Sequence, residues 1–285
     1  MNINLKSKVI GKIASILGSF LIILRPKKAK ELSEYRMALV HNYKNMSLQE
    51  RLMRSALIKK LDKIDDYSEV AKLNKNFWSN KKATELFDKL EEGFQNDFLP
   101  HCSFIFKILK EKLSKESESF TRLVEIGTGN GDVLNYLYSE FPQIDRFIGI
   151  DLSVDQIEIN KAKYKNNKKL EFVASDAIEW VREHGARNTI FVTSRGVLEY
   201  FEPQLLEEFL NMIYSLGNTI FIAIEPNGKD HNLETNFNSE LYGYEPSFSH
   251  NYPYLFKKSG FSIWHFSQQP WHQETNMQTF VIAKS

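Results

Sequence analysis

Val124-Glu125-Ile126-Gly127-Thr128-Gly129-Asn130-Gly131-Asp132 is the stretch that decides the fold of this chain. Three glycines at alternate positions follow the apolar run Arg122-Leu123-Val124, and an acid stands two residues before the first glycine. Beyond them Val133, Leu134, Tyr136 and Leu137 have the spacing of an amphipathic helix. A strand, a tight glycine turn and a helix form the first unit of a ligand-binding α/β sheet. The glycines permit positive φ and let a ligand lie against bare backbone, while the helix N-terminus offers N–H groups.

Two ligand classes compete for such a turn. A dinucleotide fold asks for G-x-G-x-x-G and a diphosphate over the helix N-terminus. Here the pattern is Glu-x-Gly-x-Gly-x-Gly, and Glu125 would face a diphosphate as a like charge. A ligand with a cationic amino group and no phosphates tolerates it better. The run resembles motif I of the class I, Rossmann-like S-adenosylmethionine-dependent methyltransferases. That resemblance implies that Glu125, Gly127, Thr128 and Gly129 face the amino-acid part of the cofactor. The alternative is a glycine-rich turn that binds nothing.

The rest of the chain keeps the rhythm of that fold. Arg146-Phe-Ile-Gly-Ile-Asp151 is a short apolar strand ending in an acid, followed by the capping box Ser153-Val-Asp-Gln156. A carboxylate at the end of a second strand can accept from both ribose hydroxyls of an adenosine. A third strand, Leu170-Glu-Phe-Val-Ala174, leads to Ser175-Asp176-Ala177. In the resembled family an acid in the place of Asp176 accepts from the adenine amino group, and the N–H of Ala177 donates to the ring. Leu152 and Ser194 complete the implied cofactor set. As plain alternatives, Asp176 caps the next helix and Asp151 is a solvated turn residue.

The fourth strand, Asn188–Thr193, runs into Ser194-Arg195-Gly196-Val197-Leu198-Glu199-Tyr200, and an amphipathic helix follows Pro203. A fifth strand ends at Glu225-Pro226, and a helix with two closing strands completes the chain. The expected fold is α/β, a doubly wound, mostly parallel seven-stranded sheet whose last strand is antiparallel. Helices cover both faces, and an N-terminal helical extension precedes the sheet. The expected division is 1–30, an apolar and basic helix suited to a membrane interface; 31–118, a helical lid or extension; and 119–285, the cofactor-binding methyltransferase core implied by the resemblance.

Departures narrow the chemistry. Amino-methylating nucleic-acid enzymes of this class carry Asn- or Asp-Pro-Pro-aromatic after the fourth strand, where this chain has Ser194-Arg195-Gly196-Val197. Cysteine-dependent base methylation needs a thiol, and the single cysteine, Cys102, lies far upstream in sequence. The acceptor is therefore expected to be a small molecule or lipid, at oxygen, with nitrogen as the other option. Other readings are a cofactor-binding but inactive partner, a membrane-bound scaffold, and a nicotinamide dehydrogenase.

Composition places the chain among cytoplasmic enzymes with one large core: 42% of its residues are apolar. Lys and Arg total 37 against 36 Asp and Glu, so no global field attracts nucleic acid. The first 30 residues differ. Ile13 to Leu24 is nearly all apolar, between basic flanks at Lys6, Lys8, Lys12, Arg25, Lys27, Lys28 and Lys30. Twelve helical residues rise about 18 Å against a hydrocarbon core of about 30 Å, so a full span is not expected. Residues 9–30 suit peripheral contact with a membrane, or packing on the protein itself or on a second copy.

Methyl transfer from a sulfonium is an in-line displacement, and a hydroxyl acceptor needs a base. The candidates are His250, first choice as base, with Glu199 and Tyr200; Glu225 closes the fifth strand. Arg195, Trp78 and His231 are expected at the substrate, Arg195 either clamping an anionic group or pairing with Glu199. No metal is expected, because the histidines are scattered and no H-x-x-H or C-x-x-C occurs.

Overall fold

The computed structural model describes residues 3–34, 46–61, 67–79, 93–117, 119–242, 247–271 and 276–285. They fall into two compact units, Met1–Phe77 with Leu241–Ser247 and Trp78–Glu240 with Phe248–Ser285.

The first unit is helical: Ile3–Leu24, Pro26–Glu34, Leu48–Leu61 and Tyr67–Trp78. Ser47 and Glu50 form a capping box. The Ser47 hydroxyl and N–H donate to the Glu50 carboxylate at 2.7 and 2.9 Å, and the Glu50 N–H donates back at 3.3 Å. These bonds, with Lys28 at 3.2 Å, hold the Glu50 carboxyl down to about 2. Gly18 is where the first helix meets Leu48–Leu61. A Cβ there would overlap the Leu52 carbonyl oxygen, so only glycine lets the two backbones approach so closely.

The second unit holds a seven-stranded sheet of β1 (Arg122–Ile126), β2 (Arg146–Asp151), β3 (Leu170–Ala174), β4 (Thr189–Thr193), β5 (Thr219–Gly228), β8 (Ser262–Trp271) and β9 (Asn276–Lys284). Its order is β3-β2-β1-β4-β5-β9-β8. β1 to β5 pair in parallel, and β9 runs antiparallel between β5 and β8. β6 (Glu240–Tyr242) and β7 (Ser247–Ser249) make a separate two-stranded sheet.

The inner strands are buried on both faces, as continuous apolar runs such as Thr189–Thr193 require. Leu123, Ile190, Val192 and Ile222 face one core with Phe94, Phe98, Ile105, Phe106 and Leu109. Val124, Phe191 and Phe221 face the other, against Trp180, Phe209, Ile213 and Phe256. The helix Phe104–Leu113 thus packs into the sheet's own core. An apolar stripe shows that a helix buries one face; it does not show against what.

Candidate active site

The carboxyl ends of β1, β2, β4 and β5 come level, because Ile126 pairs with Ile150 and Thr193, and Thr193 pairs with Ala223. One register step further on lie Gly127, Asp151, Ser194 and Ile224, at the crevice where open α/β sheets bind ligands.

The glycine turn is held from below. The N–H groups of Gly127 and Thr128 both donate to the Ile150 carbonyl, at 2.8 and 3.0 Å. Gly127 has φ +69°, and a Cβ there would meet Val197 Cγ2 at 2.5 Å. The chain's own Val197 therefore demands this glycine, independently of any ligand. Glu125 is buried beneath the turn, where its Oε2 accepts from the Thr128 hydroxyl at 2.7 Å and its Oε1 from the Ser194 hydroxyl at 2.8 Å. Burial pushes its carboxyl up to about 7, against the pull of those two bonds and of Arg195.

Asp151 accepts from the Gly129 N–H on one oxygen and the Ser153 N–H on the other, each at 3.0 Å. It is buried, and desolvation raises its pKa while the backbone bonds lower it. Each carboxylate oxygen can accept more than one hydrogen bond, so the pair can still receive two hydroxyls. Asp176 caps the helix Ala177–His184: its Oδ1 accepts from the Ile178 and Glu179 N–H groups at 2.9 and 3.2 Å. Leu152 lies between Asp151 and the N-cap Ser153.

The N-terminus of Asp132–Glu140 is already supplied with acid. Asp132 sits in the first turn, its N–H takes the Asn130 side chain at 3.3 Å, and its carboxylate pairs with Lys163 at 2.8 Å. A diphosphate would meet both Asp132 and the buried Glu125, whereas a cationic amino group meets neither as a like charge. The geometry disfavours a dinucleotide and fits a sulfonium amino acid joined to a nucleoside.

Beyond β4, Arg195 takes φ +65°, a left-handed conformation that costs a non-glycine residue about 1–2 kcal/mol. Its guanidinium lies over Phe94 and Phe98, 5.7 and 5.1 Å from the ring centroids. Desolvation lowers its pKa, and Glu125 leads the acids that oppose this. Phe94 and Phe98 belong to a π-helical turn, Phe94–Phe98, of a kind frequent at functional sites and without a sequence signature. Cys102, remote in sequence, is within electrostatic reach of Arg195, and burial pushes its thiol up to about 12, which disfavours the thiolate.

Glu199 and Tyr200 form a short 3-10 turn, Leu198–Tyr200; Glu199 is buried and the Tyr200 ring lies 5.6 Å from that of Trp78. Glu225 is fully buried, with Oε2 accepting from the Val197 and Leu198 N–H groups at 2.9 and 3.0 Å. Burial pushes its carboxyl up to about 7 against the Thr193 hydroxyl and the backbone donors.

The two histidines are placed differently from the expectation. His250 is fully buried; its Nδ1 accepts from the Ser239 hydroxyl at 2.7 Å and its Nε2 donates to the Phe201 carbonyl at 3.1 Å. Burial lowers its pKa to about 3. Both ring nitrogens are committed, which corrects its assignment as general base. His231 is buried likewise, with its Nδ1 2.8 Å from the Ser249 hydroxyl and its Nε2 3.2 Å from the Asn236 carbonyl. These contacts fasten the segment after β5. Neither role is visible in sequence, since the partners lie 5 to 49 residues away.

An open groove of about 350 Å³ between the π-helical turn and Asp132–Glu140 is lined by Phe94, Gln95, Leu99, Asp132, Asn135, Tyr136 and Ser139. No strand-end acid lines it, so it is not the crevice described above. Among the described residues no group of three or more His, Cys, Asp or Glu side chains is placed to hold a metal.

Residues 123–218 match a family model described as a methyltransferase domain. The fold is similar to magnesium protoporphyrin IX methyltransferase from Synechocystis PCC 6803, solved with bound S-adenosylmethionine. The two are 10% identical, with a TM-score of 0.51 over 76% of this chain and 97% of that one. An S-adenosylmethionine-dependent methyltransferase from Clostridium acetobutylicum ATCC 824 is also 10% identical, with a TM-score of 0.49 over 70% of this chain and 98% of that one. No protein of curated function matches the sequence.

Proposed function

We propose that the chain is a class I S-adenosylmethionine-dependent methyltransferase, a reading supported by the methyltransferase-domain match over residues 123–218, and that its acceptor is an oxygen of a small molecule or lipid. S-adenosylmethionine, when bound, supplies the electrophilic methyl group, and S-adenosylhomocysteine is the product. The observation that carries the cofactor site is the row of acids at the strand ends. In this reading Asp151 receives the ribose hydroxyls, with Leu152 beside it. Asp176 and the Ala177 N–H receive the adenine edge, and Glu125, Gly127, Thr128, Gly129 and Ser194 surround the amino-acid part.

Support for an oxygen acceptor comes from the segment after β4. Ser194-Arg195-Gly196-Val197 lacks the Asn/Asp-Pro-Pro-aromatic pattern of amino-methylating nucleic-acid enzymes, and it leads directly into Glu199. Glu199 is a buried carboxylate at the end of that segment, and a positioned carboxylate can serve as a general base. We assign it the hydroxyl proton, with Tyr200 and Trp78 flanking an apolar or planar acceptor and Arg195 drawing an anionic group. Positioning by these side chains, more than proton transfer, lowers the barrier of an in-line displacement.

The test is incubation of the protein with methyl-labelled cofactor and organic or aqueous extracts, followed by identification of the labelled product by mass and methyl resonance. An O-methyl product that disappears in Glu199→Gln supports the assignment. An N-methyl or C-methyl product contradicts it, and absence of turnover with all extracts favours an inactive cofactor-binding partner.

A further inference from the structure

We propose that the first helix of the helical unit, Ile3–Leu24, is a docking face for an anionic lipid bilayer. This goes beyond the methyl-transfer reading and does not depend on it. From Ile13 to Leu24 this helix is nearly all apolar, and an apolar helix face is normally buried against a partner; among the described residues the helix Leu48–Leu61 takes one side of it. Ser15 and Gly18 are buried, and the overlap that a Cβ at Gly18 would make with Leu52 and Ala56 fixes this side against the helix Leu48–Leu61.

On the other side large apolar side chains are exposed: Ile13 53%, Ile16 57%, Leu17 49%, Phe20 63%, Ile23 75% and Leu24 75%. At about 100° per residue these six positions fall within an arc of about 120°, opposite Ser15 and Gly18. A contiguous apolar stripe of this kind marks an interaction surface, whereas apolar residues scattered singly over a surface do not.

Charge selects the partner. Residues 1–30 contain seven Lys and Arg and no Asp or Glu, the first acid being Glu31, although the whole chain carries only +1. Arg25 and Lys27 are exposed just beyond the stripe. An apolar stripe between basic flanks is complementary to a surface with acyl chains beneath negatively charged headgroups, where both terms favour binding in the plane of the interface. No helix among the described residues is long and apolar enough to cross a membrane, so the contact is parallel to the surface. A second copy of this chain would bring seven like charges against seven, which makes it the poorer occupant.

The experiment is co-sedimentation of the full chain with vesicles of phosphatidylcholine alone and with vesicles that also contain phosphatidylglycerol. The chain should sediment with the anionic vesicles, and added salt should weaken the binding. Ile16→Asp with Phe20→Asp should lower partitioning at least about ten-fold, and Arg25→Glu with Lys27→Glu should lower it on anionic vesicles only. All four positions are exposed, so the variants should retain the wild-type circular dichroism and melting temperature. Unchanged partitioning in the Ile16/Phe20 variant, or no vesicle binding by the wild type, overturns the proposal. A concentration-dependent dimer that Phe20→Asp abolishes, without vesicle binding, overturns it in favour of a copy-to-copy interface.

Discussion

Ser194, the first residue after β4, donates its hydroxyl to Glu125 of β1 at 2.8 Å and so ties together the two central strands at the crevice. The carboxylate that receives it is buried, and its pKa stands at about 7, so its charge is adjustable near neutral pH. If the ionised form faces the amino group of the cofactor, S-adenosylmethionine should bind more tightly as the pH rises from about 6 to 8. Glu125→Gln should weaken binding at pH 8 by about 1–2 kcal/mol and flatten the profile. Titration calorimetry at several pH values checks this; parallel profiles for the two proteins would contradict it.

Glu225 should betray itself in stability. In the unfolded chain it ionises near 4.5, but in the fold it keeps its proton up to about 7. Between those values the folded chain holds more protons than the unfolded one. The contribution of Glu225 is therefore complete below 4.5 and is lost as the pH rises through 7. Glu225→Gln keeps an oxygen for the Val197 and Leu198 N–H groups and removes the buried charge. It should stabilise the protein by about 1–3 kcal/mol at pH 8 and change little at pH 5. Denaturant melts at the two pH values decide it, and a variant less stable than wild type at pH 8 would refute the account.

His250 gives the opposite sign. Its folded pKa lies at about 3, against 6.5 in the unfolded chain. Its contribution is thus present above 6.5 and is lost as the pH falls toward 3. His250→Ala strands the Ser239 hydroxyl and the Phe201 carbonyl, and should cost about 2–4 kcal/mol of stability. Well below its melting temperature the variant should keep the wild-type pH dependence of turnover. Loss of the acidic limb of that profile would restore His250 as the base.

Gly127 and Val197 should behave as a coupled pair. Gly127→Ala drives a Cβ to 2.5 Å from Val197 Cγ2, and at φ +69° an L-residue is strained as well. Val197→Ala in the same chain should recover the steric part and leave a residue of about 1–2 kcal/mol from the backbone. Additive losses in the melting of the single and double variants would show that the contact does not limit this position.

Much of this was legible before the structure. The succession of strands and helices, the glycine turn, the Ser153–Gln156 box and the acids at the ends of β1 and β2 are all local patterns, set by period and by capping chemistry. Long-range pairings were not legible. Ile105, Phe106 and Leu109 carry the stripe of any amphipathic helix, and only the fold reveals that they pack on Leu123 and Ile190. Cys102 looked remote and lies near Arg195, while His250 looked reactive and is sealed between Ser239 and Phe201. A side chain's chemistry depends on what surrounds it, and sequence separation conceals those neighbours.

The most direct test is calorimetric titration of the wild-type chain and Asp151→Ala with S-adenosylhomocysteine. The account predicts one saturable site in the wild type, weakened by about 1–3 kcal/mol in the variant through loss of charge-assisted hydrogen bonds. Equal affinity in the two folded proteins, or no binding by the wild type, would contradict the placement of the cofactor at the ends of β1, β2 and β3.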